Sequence, residues 1–120
     1  VSQILSRCDI TVLSGDDSLT FPIMALGGKG VVSVAANVLP AAVAGMVGKF
    51  LGGDIEGARA AHYELYRMNR ALFVETNPIP VKAALAMMGK IREEYRLPLC
   101  PIADENRATL EKVMREYGLI

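Results

Sequence analysis

Two short runs of apolar, largely β-branched residues, 9–14 and 31–35, are separated by one helix-length segment and a glycine turn, and this spacing constrains the fold more than any other feature. The first, Asp9-Ile10-Thr11-Val12-Leu13-Ser14, ends at Gly15-Asp16-Asp17. The second, Val31-Val32-Ser33-Val34-Ala35, follows Gly27-Gly28-Lys29-Gly30. Length and β-branching predict buried strands for both. Between them Asp17 or Ser18 is expected to cap a helix over residues 19–26, with Pro22 inside its tolerant first turn. Strand, helix and strand in this order form one βαβ unit, with parallel strands and a right-handed crossover. Parallel strands that are apolar on both sides need cover on both faces. A two-stranded sheet cannot supply it, so the sheet is expected to continue in residues outside this sequence. The opening agrees: Val1-Ser2-Gln3 leads straight into a helical pattern over residues 1–7, without the basic and apolar regions of a signal peptide. It reads as a position inside a larger protein.

After Asn37 the pattern is helical throughout. Asn37 is expected to cap a helix reaching Phe50, with Leu39, Val43, Val47 and Phe50 at helical spacing. Gly52-Gly53 ends it, and Asp54 caps the next. There Ile55, Ala58, His62, Leu65, Met68 and Leu72 mark one stripe, running to about residue 74. Asn77 is expected to cap a third helix, with Pro78 and Pro80 at positions whose N–H groups lack intrahelical partners. Its buried face is Val81, Ala84, Leu85 and Met88. A last helix over residues 104–117 carries Leu110, Val113, Met114 and Tyr117, and Gly118 stands where a left-handed terminal residue belongs. The fold class is therefore α/β: residues 1–37 read as the last two βα units of a (β/α)8 TIM barrel, and residues 38–120 as a C-terminal helical domain. A whole barrel needs about 250 residues.

Composition excludes several functions. Lys plus Arg and Asp plus Glu number 13 each, a net charge of zero. A nucleic-acid binder needs a basic face to displace counterions from phosphate, and a polybasic membrane-surface protein needs the same excess. The apolar stretch over residues 38–47 is broken by Pro40 and Gly45 and falls short of the ~20 residues of a membrane span. Cys8, Cys100 and the lone His62 have no metal-ligand spacing, so no metal or cofactor is expected and the thiols read as reduced. A cytoplasmic location follows as the expectation.

Candidate chemistry gathers where strands hand over to helices, which in α/β barrels is the catalytic face. In Ser14-Gly15-Asp16-Asp17, Gly15 would let the backbone approach a ligand and Asp16 would point into the mouth. The plainer reading, which spacing favours, makes Asp17 a cap and Gly15 a turn. Gly27-Gly28-Lys29-Gly30 lies between helix and strand, the reverse of a phosphate loop, and reads as a tight turn. Small residues from Ser33 to Asn37 leave room for a substrate or for neighbouring side chains. A Schiff-base lysine needs a desolvated setting, and none of the five lysines, Lys29, Lys49, Lys82, Lys90 and Lys112, lies in an apolar strand. His62 reads as a buried structural histidine, Lys82 as a salt-bridge or carbonyl partner, and Glu93, Glu94 and Glu105 as solvated helix ends. The chain carries part of a pocket and no nucleophile.

Four segments then occur in one order: Ser14-Gly15-Asp16-Asp17, Gly30-Val31-Val32-Ser33-Val34-Ala35-Ala36-Asn37, Phe73-Val74-Glu75-Thr76-Asn77-Pro78-Ile79-Pro80-Val81-Lys82 and Arg96-Leu97-Pro98-Leu99. Together they resemble the C-terminal portion of the dihydrodipicolinate synthase family across essentially the whole chain. Asn-Pro-Ile-Pro-Val-Lys and Arg-Leu-Pro-Leu favour that family over relatives such as N-acetylneuraminate lyase. The resemblance implies a barrel with a C-terminal helical domain, in a homotetramer. It also implies condensation of pyruvate, held as a Schiff base on a barrel lysine, with aspartate semialdehyde on the route to lysine. The two strands here would be the seventh and eighth. Val32 matches the position whose backbone carbonyl faces bound pyruvate, and Gly15 and Asp16 match the loop beside the second substrate. The Schiff-base lysine and proton relay belong to earlier strands, so no catalytic residue is expected in this chain. Ala103 stands where the family often has Ser, which would leave Asp104 as a cap, and Val32 replaces a commoner Ile. The rival expectation is a non-catalytic helical interaction module that kept the fold and lost the chemistry.

Overall fold

The two apolar runs lie parallel and side by side in the computed structural model of residues 1–120, but they meet at one bridge only, Ser14 with Val31. The predicted strands are thus extended segments rather than rungs of a sheet. Ser14 N–H donates to the Gly30 carbonyl and Val32 N–H to the Ser14 carbonyl, both at 2.8 Å. The amide that would continue this ladder is that of Asp16, and it turns instead to Ser14 Oγ at 3.1 Å. Pairing stops there for that reason.

The chain forms two compact units, Val1–Tyr66 and Arg67–Ile120. In the first, helix α1 (Ser2–Leu5) precedes the extended segment. A 3-10 turn, Asp17–Leu19, then feeds α2 (Thr20–Ala25). Its cap is Asp16, not Asp17 or Ser18: Asp16 is extended, and its Oδ1 accepts the Ser18 amide at 2.8 Å and the Leu19 amide at 3.2 Å. Gly28 closes the turn back to the second segment at a spot where a Cβ would lie 2.9 Å from the Ile23 carbonyl oxygen, so only glycine fits without movement. A second 3-10 turn, Ala35–Asn37, comes before α3 (Pro40–Leu51). Asn37 therefore does not cap α3. Its side-chain Nδ2 donates to the Val34 carbonyl at 3.0 Å, closing its own turn, while Pro40 opens the helix. Val43 and Met46 of α3 are buried, and α2 packs against α3.

Helix α4 (Ile55–Ala71) begins as expected, with the Gly57 amide donating to Asp54 Oδ1 at 2.9 Å. Ala58, Leu65, Met68 and Leu72 are buried along its stripe, but Ile55, at the helix's first position, is exposed. In the second unit α5 (Ile79–Met87) starts from Pro78, and exposed Asn77 gives it no cap. Pro80 removes one of the donors a cap would serve, and the Ile79 amide donates to the Thr76 carbonyl at 3.0 Å. Val81, Ala83 and Ala84 are buried, whereas Leu85 and Met88 are only half-buried. Helix α6 (Asp104–Glu116) packs on α5 through a face with Leu110, Val113 and Met114 buried. Asp104 is its first residue rather than its cap. Ala103 holds that place, and its amide donates to Glu75 at 2.8 Å. Gly118, at φ +65°, ends the helix as expected.

Candidate active site

Both strand-to-helix turns of the first unit lie at one end of the parallel pair, and a single buried carboxylate joins them. Asp17 is 4% exposed. Its Oδ2 accepts the Val34 amide at 2.9 Å and the Ala35 amide at 3.0 Å, and its Oδ1 accepts the Ser33 hydroxyl. No Lys or Arg ion pair reaches it. A carboxylate withdrawn from water needs such donors, and three of them make this a stable arrangement. Ser33 Oγ also accepts the Ala36 amide at 2.8 Å. The first turn is braced by Ser14, 1% exposed, whose hydroxyl donates to the Asp16 carbonyl at 2.7 Å.

The capping task thus falls to Asp16 and not to Asp17. Asp17, expected as a cap, is buried and bridges the turns. Asp16, expected to point into the mouth, uses Oδ1 to cap its own 3-10 turn and to accept the Ser18 hydroxyl at 2.6 Å. Gly15 has open space where a Cβ would stand, so nothing within the chain requires it to be glycine. Val32 is 70% exposed. In a continued parallel ladder its carbonyl would accept the Asp16 amide, but that amide donates to Ser14 Oγ, and no donor of the chain takes the carbonyl. A backbone acceptor is left free at the end of the strand pair. Ser14, Asp17 and Ser33 are the residues that sequence reasoning passed over. The only signal was the doubled aspartate, since a turn needs one carboxylate for its cap and the second is then spare.

Several of the other polar groups are occupied structurally, although the buried Asn69 Oδ1 accepts no hydrogen bond. A groove of about 390 Å³ lined by Leu13, Val31, Ser33, Ala36, Val43 and Val47 among others is mainly apolar and offers no acid or base apart from Lys29. His62 is half-buried against the Phe21 and Tyr63 rings, each with centroids 5.6 Å away, and burial lowers its pKa. In the second unit Glu93 is not a solvated helix end. It lies in the irregular stretch after α5, pairs with Arg107 and accepts the Tyr95 hydroxyl at 3.0 Å. Burial, and then that bond to Glu93, push the Tyr95 hydroxyl up to about 12. Lys82 makes no salt bridge; its ammonium stands over the Tyr95 ring, 5.1 Å from the centroid. Glu75 Oε1 accepts the Asn106 side-chain Nδ2 at 2.8 Å besides the Ala103 backbone amide. These contacts fasten the irregular stretch and α6 together. No cluster of His, Cys, Asp and Glu could hold a metal ion, and no helix is long and apolar enough to cross a membrane.

Comparison with known proteins covers the whole chain. The family model described as "Dihydrodipicolinate synthetase family" matches residues 2–117. The 4-hydroxy-tetrahydrodipicolinate synthase of Geobacter sulfurreducens is 53% identical over 121 residues, covering 99% of this chain and 42% of that protein. The synthase of Methanocaldococcus jannaschii is likewise 53% identical, over 120 residues, covering 100% of this chain and 42% of its own length. The crystal structure of dihydrodipicolinate synthase from Aquifex aeolicus superposes with a TM-score of 0.96 at 49% identity, covering 98% of this chain and 41% of that one. This chain spans about two fifths of the length of the relatives it matches.

Proposed function

The chain belongs to the dihydrodipicolinate synthetase family, and from that premise we propose that it is the C-terminal part of a 4-hydroxy-tetrahydrodipicolinate synthase. In this reading residues 1–37 supply the seventh and eighth βα units of a (β/α)8 barrel, and residues 38–120 supply the helical domain behind it. The whole enzyme works in the cytoplasm as a homotetramer. It condenses pyruvate, carried as an imine on a lysine of an earlier strand, with aspartate semialdehyde. The observation that carries the reading is the free Val32 carbonyl at the end of a parallel strand pair whose two turns are joined by Asp17.

The chemistry follows from that geometry. Imine formation places positive charge on the lysine nitrogen, and a fixed backbone oxygen facing it stabilises that charge without reorganising. Val32 supplies the oxygen. The second substrate enters beside the first turn, where Gly15 leaves the backbone open and Asp16 keeps Oδ2 outside its capping bonds. The lysine nucleophile comes from the portion of the barrel that precedes this chain. A coupled assay on the full-length protein that carries this chain, supplied with pyruvate and aspartate semialdehyde, is expected to show turnover. Borohydride trapping is expected to leave one pyruvyl adduct outside these 120 residues. A full-length protein that neither traps pyruvate nor turns over rules the reading out.

A further inference from the structure

We propose that Asp17 is a positioning residue, whose carboxylate sets the direction of the Val32 carbonyl through Ser33 and the Val34 and Ala35 amides. The inference rests on the proposed role of that carbonyl. Asp17 is not needed as a cap for its own helix, since Asp16 already fills that role. Instead its two oxygens reach 16 to 18 residues along the chain to three donors in the second turn. A neutral serine or asparagine could cap that turn as well. Only a carboxylate there can accept from all three donors with no N–H of its own to place.

The Val32 peptide is held on both sides. Ahead of it, the Val32 amide is fixed by the Ser14 carbonyl at 2.8 Å. Behind it, Ser33 is locked through its hydroxyl, which donates to Asp17 and accepts the Ala36 amide, and through the following amide of Val34. The carbonyl between them, which no donor of the chain takes, has no bond of its own to fix it. Its orientation is therefore set by the backbone torsions on either side of the peptide, and the Asp17 carboxylate limits those torsions from the second turn. If the carboxylate or the Ser33 hydroxyl is removed, the peptide gains freedom and the oxygen leaves its line to the reacting centre.

The test is steady-state kinetics on the full-length synthase that carries this chain, with Asp17→Asn, Ser33→Ala, Ser33→Thr and the Asp17→Asn/Ser33→Ala double variant, each checked for folding by circular dichroism. Misplacing a reacting group by a fraction of an ångström lowers kcat steeply, so Asp17→Asn is expected to lower kcat about 10- to 100-fold. The KM for pyruvate should stay within about threefold, because the group acts on the transition state rather than on ground-state binding. Ser33→Ala should lower kcat in the same way, Ser33→Thr should restore it by keeping the hydroxyl, and the double variant should lose no more than Asp17→Asn alone. If Asp17→Asn does not fold, the Ser33→Ala and Ser33→Thr pair decides the matter. Folded variants with unchanged kcat, or with a raised KM and intact kcat, overturn the inference and leave the proposed function standing. An unsubstituted protein without turnover overturns both.

Discussion

Helix α4 hangs on one side chain at its start. Asp54 supplies the cap to Gly57, and Asp54→Ala is expected to destabilise the chain by about 1 kcal/mol in urea titration. Asn77→Ala should stay within about 0.5 kcal/mol of the unsubstituted chain, since Asn77 is exposed and caps nothing. His62 gives a pH dependence with a definite sign. Burial lowers its pKa from the ordinary 6.5, so the unfolded chain binds this proton more readily than the folded one. Its contribution is complete above about pH 6.5 and is lost as the pH falls through the folded value. Urea midpoints measured at about pH 7.5 and about pH 5.5 should therefore fall with the pH, and His62→Gln should remove that part of the slope. At this scale Asp54 and Gly118 were legible in the sequence, because a cap and a left-handed terminus are local events. Asp17 was not: its partners lie in the second turn, and the doubled aspartate shows that one carboxylate is spare without showing which one caps and which one bridges.

The glycine turn between α2 and the second extended segment tolerates no side chain at Gly28. Gly28→Ala is expected to destabilise the first unit by about 1–3 kcal/mol, because the new methyl meets backbone that cannot give way. Hydrogen exchange should report the loss first at the Ser14 and Val32 amides, which form the bridge. In the second unit Leu110, fully buried on α6, is the side chain to truncate: Leu110→Ala should cost about 2–5 kcal/mol by opening a cavity. A loss of under 1 kcal/mol in the unfolding free energy from urea titration would mean that α6 is not holding this unit together. Helices α4 and α6 were readable from periodicity, because each has one polar and one apolar face over three turns or more. The starts of α3 and α5 were not. A proline at each entry already removes a donor, so Asn37 turns to its own 3-10 turn and Asn77 to solvent.

For the molecule as a whole, the decisive surface is the open side of the strand pair. Val31 bridges Ser14 through its neighbours' peptide groups, which leaves its own N–H and carbonyl facing away from that partner. An edge of this kind invites another strand. Incubating the 120-residue chain alone with pyruvate and borohydride should give no stable adduct by intact-mass measurement, because its five lysines lie on turns and helices. Supplying the preceding portion as a separate polypeptide should place the adduct on that portion. A pyruvyl adduct on Lys29, Lys49, Lys82, Lys90 or Lys112 would put the amine inside this chain and overturn the assignment. By itself the sequence determined the order of the helices and the buried stripes of α4 and α6, since each depends on residues a few positions apart. Only the tertiary structure decided that the runs meet at a single bridge, that Asp16 and Asp17 divide capping and bridging between them, and that Val32 keeps a free carbonyl. Those outcomes depend on which donors two distant turns bring within 3 Å of each other, and hydrogen bonding at that range carries no period for a sequence to display.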